Sequence, residues 1–170
     1  MPTTEATKSD YIRALSMHRH REGGYFAETY RNDMSIGTGR PGKDGMRSIG
    51  TCIYYMLTDD EPKGYLHRNL SPIVHFFHAG APMTYWLLSE TGHIERHVLG
   101  PDLAAGETLQ LMVPGGTWKC SELHPGGSFG LLSESVTPGF EYEDSRIASR
   151  DELLALFPHA TDLAATFCRW

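Results

Sequence analysis

Residues 65–82 read YLHRNLSPIVHFFHAGAP, and two properties of this stretch decide the fold. The first is alternation. Successive side chains of a strand point to opposite faces, so Tyr65, His67 and Asn69 share one face. Ile73, His75 and Phe77 share a face further along, with Val74, Phe76 and His78 on its reverse. The second is punctuation. Ser71-Pro72 turns the chain between the two runs, and Gly80-Ala81-Pro82 turns it again. The stretch is therefore two short strands carrying three imidazoles, side chains that ligate metals and exchange protons near neutral pH. Because a turn intervenes, parity alone leaves open whether His67 and His75 face the same side.

The same texture extends outward from residue 24 to residue 136. Short apolar or alternating runs recur at 24–31, 50–57, 64–70, 73–79, 83–89, 94–100, 108–114, 117–123 and 128–136. Between them lie GTGRPGKDG (37–45), DDEPKG (59–64), ETGH (90–93), PGG (114–116) and HPGG (124–127), which supply the dihedrals a reversing chain needs. About nine strands with no helix between them predict an all-β sandwich or barrel with antiparallel pairing.

Helix signals sit only at the ends. Ser9 or Asp10 is expected to cap a short helix carrying Tyr11, Ile12 and Leu15, stopping near Met17–His18, after a flexible polar segment 1–8. Ser149 and Glu152 have capping-box spacing before Leu153, Leu154, Leu156 and Phe157. Pro158 stops that helix, and Thr161 caps one last turn through Leu163 and Phe167.

With 170 residues, the chain suits one domain, taken as 1–170. A hydrophobic content of 40% against 21% charged marks it as globular. The net charge of −6 and the absence of any Lys/Arg run argue against a nucleic-acid partner. No run approaches the length of a membrane span, and the N-terminal residues lack the apolar core of a signal peptide. Cys52, Cys120 and Cys168 form neither a disulfide framework nor a zinc ribbon and fit a reducing compartment. The expected location is the cytoplasm.

Three stretches in register carry a resemblance: REGGYFAETYR (21–31), YLHRNLSPIVHFFHAGAP (65–82) and SVTPGFEYEDSRIASRDELLALFP (135–158). CIYYML (52–57) and LGPDLAAGETLQLMVPGGTWKCS (99–121) fall between them in order. Together, over about residues 11–160, they resemble the small single-domain cupins of type five, a family of unknown function among the RmlC-like jelly rolls. The resemblance implies an RmlC-like cupin jelly-roll β-barrel with short N- and C-terminal helices, and a homodimer formed by sheet packing or strand exchange.

The resemblance also locates what this chain lacks. Counting back from Gly80, the metal-binding positions of the general cupin pattern fall on His67, Asn69 and Ile73, and the last falls on Lys119. Only His67 keeps a ligand type. Relatives usually read SDEIWHFYAG where this chain has Pro72, Ile73, His75 and Phe76 in place of Asp, Glu, Trp and His. A stable site needs three or four protein donors, so no metal and no cofactor is expected. His67 and His75 remain the only donors for a weakly held divalent ion.

The cupin register points His67 and position 73 inward, which brings His75 to the cavity and turns His78 away. His67, Lys119 and Glu28 are the expected catalytic residues: acid or base, oxyanion stabiliser, and the partner that orients His67. Glu28 shares parity with Phe26 and Tyr30, and an acid in such a wall needs a function or an ion pair, here with Arg31 or Arg68. Asn69, His75, Tyr30, Tyr55, Arg68, Phe77 and Glu143 are the expected binding residues, with either Tyr54 or Tyr55 facing the cavity. The implied activity is metal-independent isomerisation, epimerisation or lyase chemistry on a small carbohydrate-like molecule. Small-molecule binding or sensing without catalysis is the alternative, and a metal-dependent oxygenase is the third reading.

Overall fold

The computed structural model describes residues 6–169, and the first five positions of the expected flexible segment lie outside the described residues. Thr7, not Ser9 or Asp10, caps the first helix, α1 (Lys8–Ala14), in a capping box with Asp10. A hydroxyl and a carboxylate three residues apart satisfy two backbone donors that the helix itself leaves open. The order that begins at Thr7 and Lys8 therefore corrects the flexible segment at its end.

All nine expected strands form. Chain order runs β1 (His18–Arg19), β2 (Tyr25–Arg31), β3 (Ser35–Gly37), β4 (Met46–Ser48), β5 (Thr51–Thr58), β6 (Lys63–Asn69) and β7 (Ile73–Gly80). It continues through β8 (Met83–Leu88), β9 (Ile94–Leu99), β10 (Gln110–Val113), β11 (Trp118–Leu123), β12 (Phe129–Val136) and β13 (Ser145–Ile147). Two helices close the chain, α2 (Arg150–Leu156) and α3 (Thr161–Phe167). Ser149 caps α2 by accepting from the Glu152 amide. Ala160 rather than Thr161 stands at the cap of α3, so that helix begins without a side-chain cap.

Two antiparallel sheets face each other. One has the order β1-β2-β5-β12-β7-β10, the other β13-β6-β11-β8-β9. The sandwich is a jelly roll; no continuous ladder among the described residues closes the two sheets into one barrel. The corner Ser71-Pro72 carries the chain from one sheet to the other, and the Asn69 side chain folds back to accept from the Ser71 amide at 2.8 Å. This crossing answers the question that parity left open: both His67 and His75 point between the sheets, while His78 points out to Ser133 and the Tyr54 ring.

Alternation partitions the apolar residues into three clusters. Tyr55, Leu57, Met83, Tyr85, Leu87, Leu123 and Leu132 fill the space between the sheets. Leu66, Leu88 and Trp118 face the other way and are covered by Leu153, Leu163 and Phe167 of the C-terminal helices. Met56 and Leu131, on the outer face of the larger sheet, meet Tyr11, Ile12 and Leu15 from α1 and its C-terminal end. Truncating any of the fully buried leucines to alanine would cost about 2–5 kcal/mol.

Candidate functional site

The inward residues of the two sheets stack in layers, and the register of the ladders sets which groups meet. On the smaller sheet Lys119 pairs directly with His67. On the larger sheet Glu134 pairs with both His75 and Ile53, and Ile53 with Glu28. One polar belt therefore crosses the interior at the same height. Below it lie Phe26, Tyr55, Ser121 and Tyr85; above it lie Arg31, Ile73, Val136 and Asn69. Between the sheets the belt borders a cavity of about 260 Å³, whose mouth is framed by Phe140, Glu141 and Tyr142.

His67 is held at both ring nitrogens. Nδ1 lies 2.7 Å from the Tyr65 carbonyl oxygen, an acceptor, so Nδ1 carries the proton and donates. Nε2 lies 3.2 Å from Glu22 Oε2. Glu22 also accepts from the Ser145 hydroxyl at 2.6 Å. Its own amide donates to His20 Nδ1 at 3.1 Å. Burial pushes the Glu22 carboxyl up, but His67, His20, Ser145 and Lys119 together outweigh it and hold the carboxyl below its ordinary value. Burial lowers His20.

Lys119 forms the second cluster. Its ammonium donates to His75 Nε2 at 3.0 Å, which leaves the remaining proton of a neutral imidazole on Nδ1. His75 Nδ1 faces Glu134 Oε1 at 3.1 Å, off the line of a ring N–H, so the two groups are close without an aligned hydrogen bond. Lys119 Nζ is 3.8 Å from the other Glu134 oxygen. Burial first, then the Lys119 charge, lowers His75 to about 4. Burial likewise lowers Lys119, against the attraction of Glu134 and Glu22. For Glu134 burial acts upward, but Lys119 and His75 pull harder and leave it well below the usual carboxylate range.

Two cavity groups lack a partner. Asn69 Nδ2 and the Tyr85 hydroxyl are buried, at 4% and 2% residual exposure, and neither makes a hydrogen bond. An unpaired buried donor costs free energy that a bound acceptor would recover.

His67, Lys119, Glu28, Asn69 and Tyr55 line the cavity. It separates Glu28 from His67, however: the Glu28 carboxylate is forked onto Arg31 at 2.8 and 3.0 Å, near the mouth. Glu22 stands where Glu28 was expected. His75 is wholly buried behind the wall, its ring 4.9 Å from that of Tyr85, and does not open onto the cavity. Phe77 packs into the apolar layer below. A bulge in β2 after Glu28 breaks the parity and leaves Tyr30 49% exposed. Arg68 points outward over the Trp118 ring. Glu143 is exposed, and its neighbours Glu141 and Tyr142 line the mouth instead. Tyr55 faces inward and donates to the Gly23 carbonyl oxygen, while Tyr54 faces outward.

A cupin metal does not fit this side-chain set. An ammonium occupies the last ligand position and donates to the one nitrogen that His75 would offer. His67 has its two nitrogens engaged by Tyr65 and Glu22, so the weak two-histidine site is not assembled. Among the described residues no group of three or more His, Cys, Asp or Glu side chains converges as a metal site.

Glu134 was legible in principle: Gly130, Leu132, Glu134 and Val136 share parity, and an acid amid inward apolar residues is a signal. Tyr85 shares parity with Met83 and Leu87 in the same way. Glu22 gave no periodic signal, since it precedes Gly23 and Gly24 in a turn.

Fold and cavity together define a jelly roll of the cupin type, with Glu22, His67, Lys119 and Glu134 lining the interior. The chain belongs to the family described as Cupin superfamily (DUF985), whose model matches residues 9–148. It is 36% identical to the uncharacterized protein YML079W of Saccharomyces cerevisiae, over 90% of this chain and 81% of that one. Among solved structures it is similar to protein SO0799 of Shewanella oneidensis, with a TM-score of 0.86, 31% identity, and coverage of 97% and 99% of the two chains. A hypothetical protein from Leishmania major gives a TM-score of 0.87 at 27% identity, covering 96% and 99%. Pac13, a nucleoside dehydratase from Streptomyces, shares the fold at a TM-score of 0.52 and 16% identity, over 86% and 92% of the chains.

Proposed function

We propose that this cupin binds a small polar, carbohydrate-like molecule between its sheets and moves a proton on it without a metal, as an isomerase, epimerase or lyase. The observation that carries the reading is His67: its tautomer is fixed by the Tyr65 carbonyl, a carboxylate stands at its other nitrogen, and Lys119 is its cross-strand neighbour. The His67–Glu22 pair takes a proton from carbon beside a carbonyl, and the Lys119 ammonium stabilises the charge that develops on oxygen. Returning the proton to the other face gives epimerisation. Loss of a neighbouring hydroxyl as water gives the lyase outcome.

The unpaired Asn69 amide and Tyr85 hydroxyl favour a second reading, a binding or sensing protein without turnover, because such groups serve recognition whatever the chemistry. The two readings separate in heavy water. Hydroxyaldehydes, sugars, sugar nucleotides and nucleosides are screened by thermal shift, and each hit is followed by proton NMR for carbon-bound deuterium. Exchange abolished by His67→Ala supports the enzyme; a hit with no exchange supports the binder; no hit sinks both.

We further propose a cytoplasmic homodimer acting on a small molecule rather than on nucleic acid. Support for the dimer comes from the outer face of β7 and β10, where Val74 pairs with Met112, which is 55% exposed. Sedimentation equilibrium showing only monomer at micromolar concentration would reject it.

A further inference from the structure

Within the site proposed above, we propose that Lys119 is a nucleophile whose amine captures the carbonyl carbon of a small neutral hydroxyaldehyde or hydroxyketone as an imine. The proposal rests on the reading of this cavity as a site for a polar small molecule. The chain has lysines only at positions 8, 43, 63 and 119. The other three do not line the cavity: Lys8 is committed to Asp59 and Asp60, Lys43 to Glu141 at the mouth at 2.6 Å, and Lys63 lies over the Phe167 ring at 5.6 Å. Lys119 is 3% exposed and lines the cavity.

Its surroundings have the parts of an activated nucleophile. A carboxylate, an imidazole and an amine stand in series: Glu134 Oε1 lies 3.1 Å from His75 Nδ1, and His75 Nε2 lies 3.0 Å from Lys119 Nζ. A nucleophile with a base beside it is the general pattern of side-chain nucleophiles, and here a carboxylate lies close behind the base. Burial of the amine favours its free, reactive form. A salt bridge kept only for stability is a weak explanation, since apolar side chains of the same volume serve as well or better. Glu134 itself opens onto the cavity, so a carboxylate is at hand for the proton that the amine gives up.

The step balances without any oxidant or reductant. The lysine nitrogen attacks the carbonyl carbon, a C–N bond forms, and the π pair moves to oxygen, which takes a proton. The C–O bond of the resulting carbinolamine then breaks, oxygen departs as water, and the nitrogen lone pair forms the C=N bond. In sum, an ammonium and a carbonyl give a protonated imine and water, and one positive charge remains opposite Glu134. The protonated imine acidifies the adjacent C–H bond. The His67–Glu22 pair, whose histidine is paired with Lys119 across the ladder, stands beside it to take that proton. The charge balance selects the substrate class: Glu22, Glu28, Glu134 and Glu141 set four carboxylates against Lys119 and Arg31 in the lining, so neutral carbonyl compounds enter in preference to 2-oxo acids.

The test is trapping on the full chain. The protein is incubated with dihydroxyacetone, glyceraldehyde or pyruvate in sodium cyanoborohydride, and adducts are located by intact mass and peptide mapping. The expected result is one adduct per chain at Lys119, about tenfold above the sum at Lys8, Lys43 and Lys63. The two neutral probes should exceed pyruvate, and Lys119→Met should leave only surface adducts. Label spread over the three outer lysines, or no label, overturns the proposal; the wild-type map decides alone if the variant fails to fold. Deuterium exchange without trapping rejects the imine while leaving the acid–base reading in place. Trapping at Lys119 without exchange upholds the imine and rejects turnover.

Discussion

Glu22 Oε2 stands 3.2 Å from His67 Nε2, although Glu22 belongs to no strand. It reaches the cavity because Gly23 and Gly24 both take positive φ, at 95° and 70°, and fold the turn inward. A side chain at Gly23 would collide with the Lys63 carbonyl oxygen, so this approach is open only to glycine. The Glu22 carboxylate is thus placed by backbone geometry, while its histidine is placed by strand alternation.

Glu22→Gln is expected to lower deuterium exchange about a hundredfold, since it removes the base partner and keeps the shape. The substitution also has a pH signature. The folded carboxyl titrates below its unfolded value of 4.5, so its contribution is fully present above that value and fades as pH falls through the lower folded value. The melting temperature of the wild type should exceed that of the variant most above pH 5, and the gap should narrow below pH 4.5. A gap constant from pH 7 to pH 3.5 would contradict the charged pairing.

His75 gives a second window, with its own sign. Its folded value of about 4 lies below the 6.5 of an ordinary imidazole, so the unfolded chain binds the proton first. Stability therefore falls as pH drops through 6.5 and levels off near 4, by about 3 kcal/mol for a shift of this size. His20, lowered in the same direction, adds to the slope. His75→Gln keeps an acceptor for Lys119 but removes the titration, so urea titrations between pH 6.5 and 5 should show a shallower slope in the variant. Equal slopes would place the imidazole in solvent.

How much of this was readable before folding follows from period and from exceptions to it. Alternation placed His67 and Asn69 on one face, the cupin resemblance implied that this face points inward, and the turn residues bounded all nine strands. Parity failed at Tyr30, because the bulge after Glu28 adds a residue that no composition signals. It failed for His75 in a subtler way: the ring points between the sheets but lies behind Lys119 and Glu134, a matter of depth rather than of direction. Arg68 and Trp118 share the opposite face from His67 and Lys119, so the outward stacking of Arg68 was present in the numbering. Glu22 was hidden because turns carry no period.

Asp144 and Arg47 anchor the cavity mouth, and their separation should be costly. Arg47 Nε and Nη2 donate to the two Asp144 oxygens at 2.9 and 2.7 Å, with both side chains almost fully buried. The same guanidinium donates to the carbonyls of Pro41, Gly42 and Met46, pinning the segment between β3 and β4. Asp144→Asn leaves a buried arginine without its counter-charge, with an expected loss of about 3–5 kcal/mol. Chemical denaturation measures the loss, and hydrogen exchange should quicken first between residues 38 and 45. A loss under about 1 kcal/mol would mean that the pair is solvated.

Tyr55 and Tyr85 lie in the same layer but should respond oppositely to loss of the hydroxyl. Tyr55 donates to the Gly23 carbonyl at 3.0 Å, so Tyr55→Phe abandons a buried acceptor and should cost about 1–2 kcal/mol. The Tyr85 hydroxyl is buried without a partner, so Tyr85→Phe removes a desolvated group that gains nothing in the free protein. Its melting temperature should hold or rise. The same change should weaken a ligand found by thermal shift by about tenfold, the worth of one hydrogen bond inside a closed site. Paired thermal and calorimetric measurements on the two variants read both signs at once. If Tyr85→Phe destabilised the free protein as much as Tyr55→Phe and left binding unchanged, the hydroxyl would be a structural group and the cavity would have lost one of its two waiting contacts.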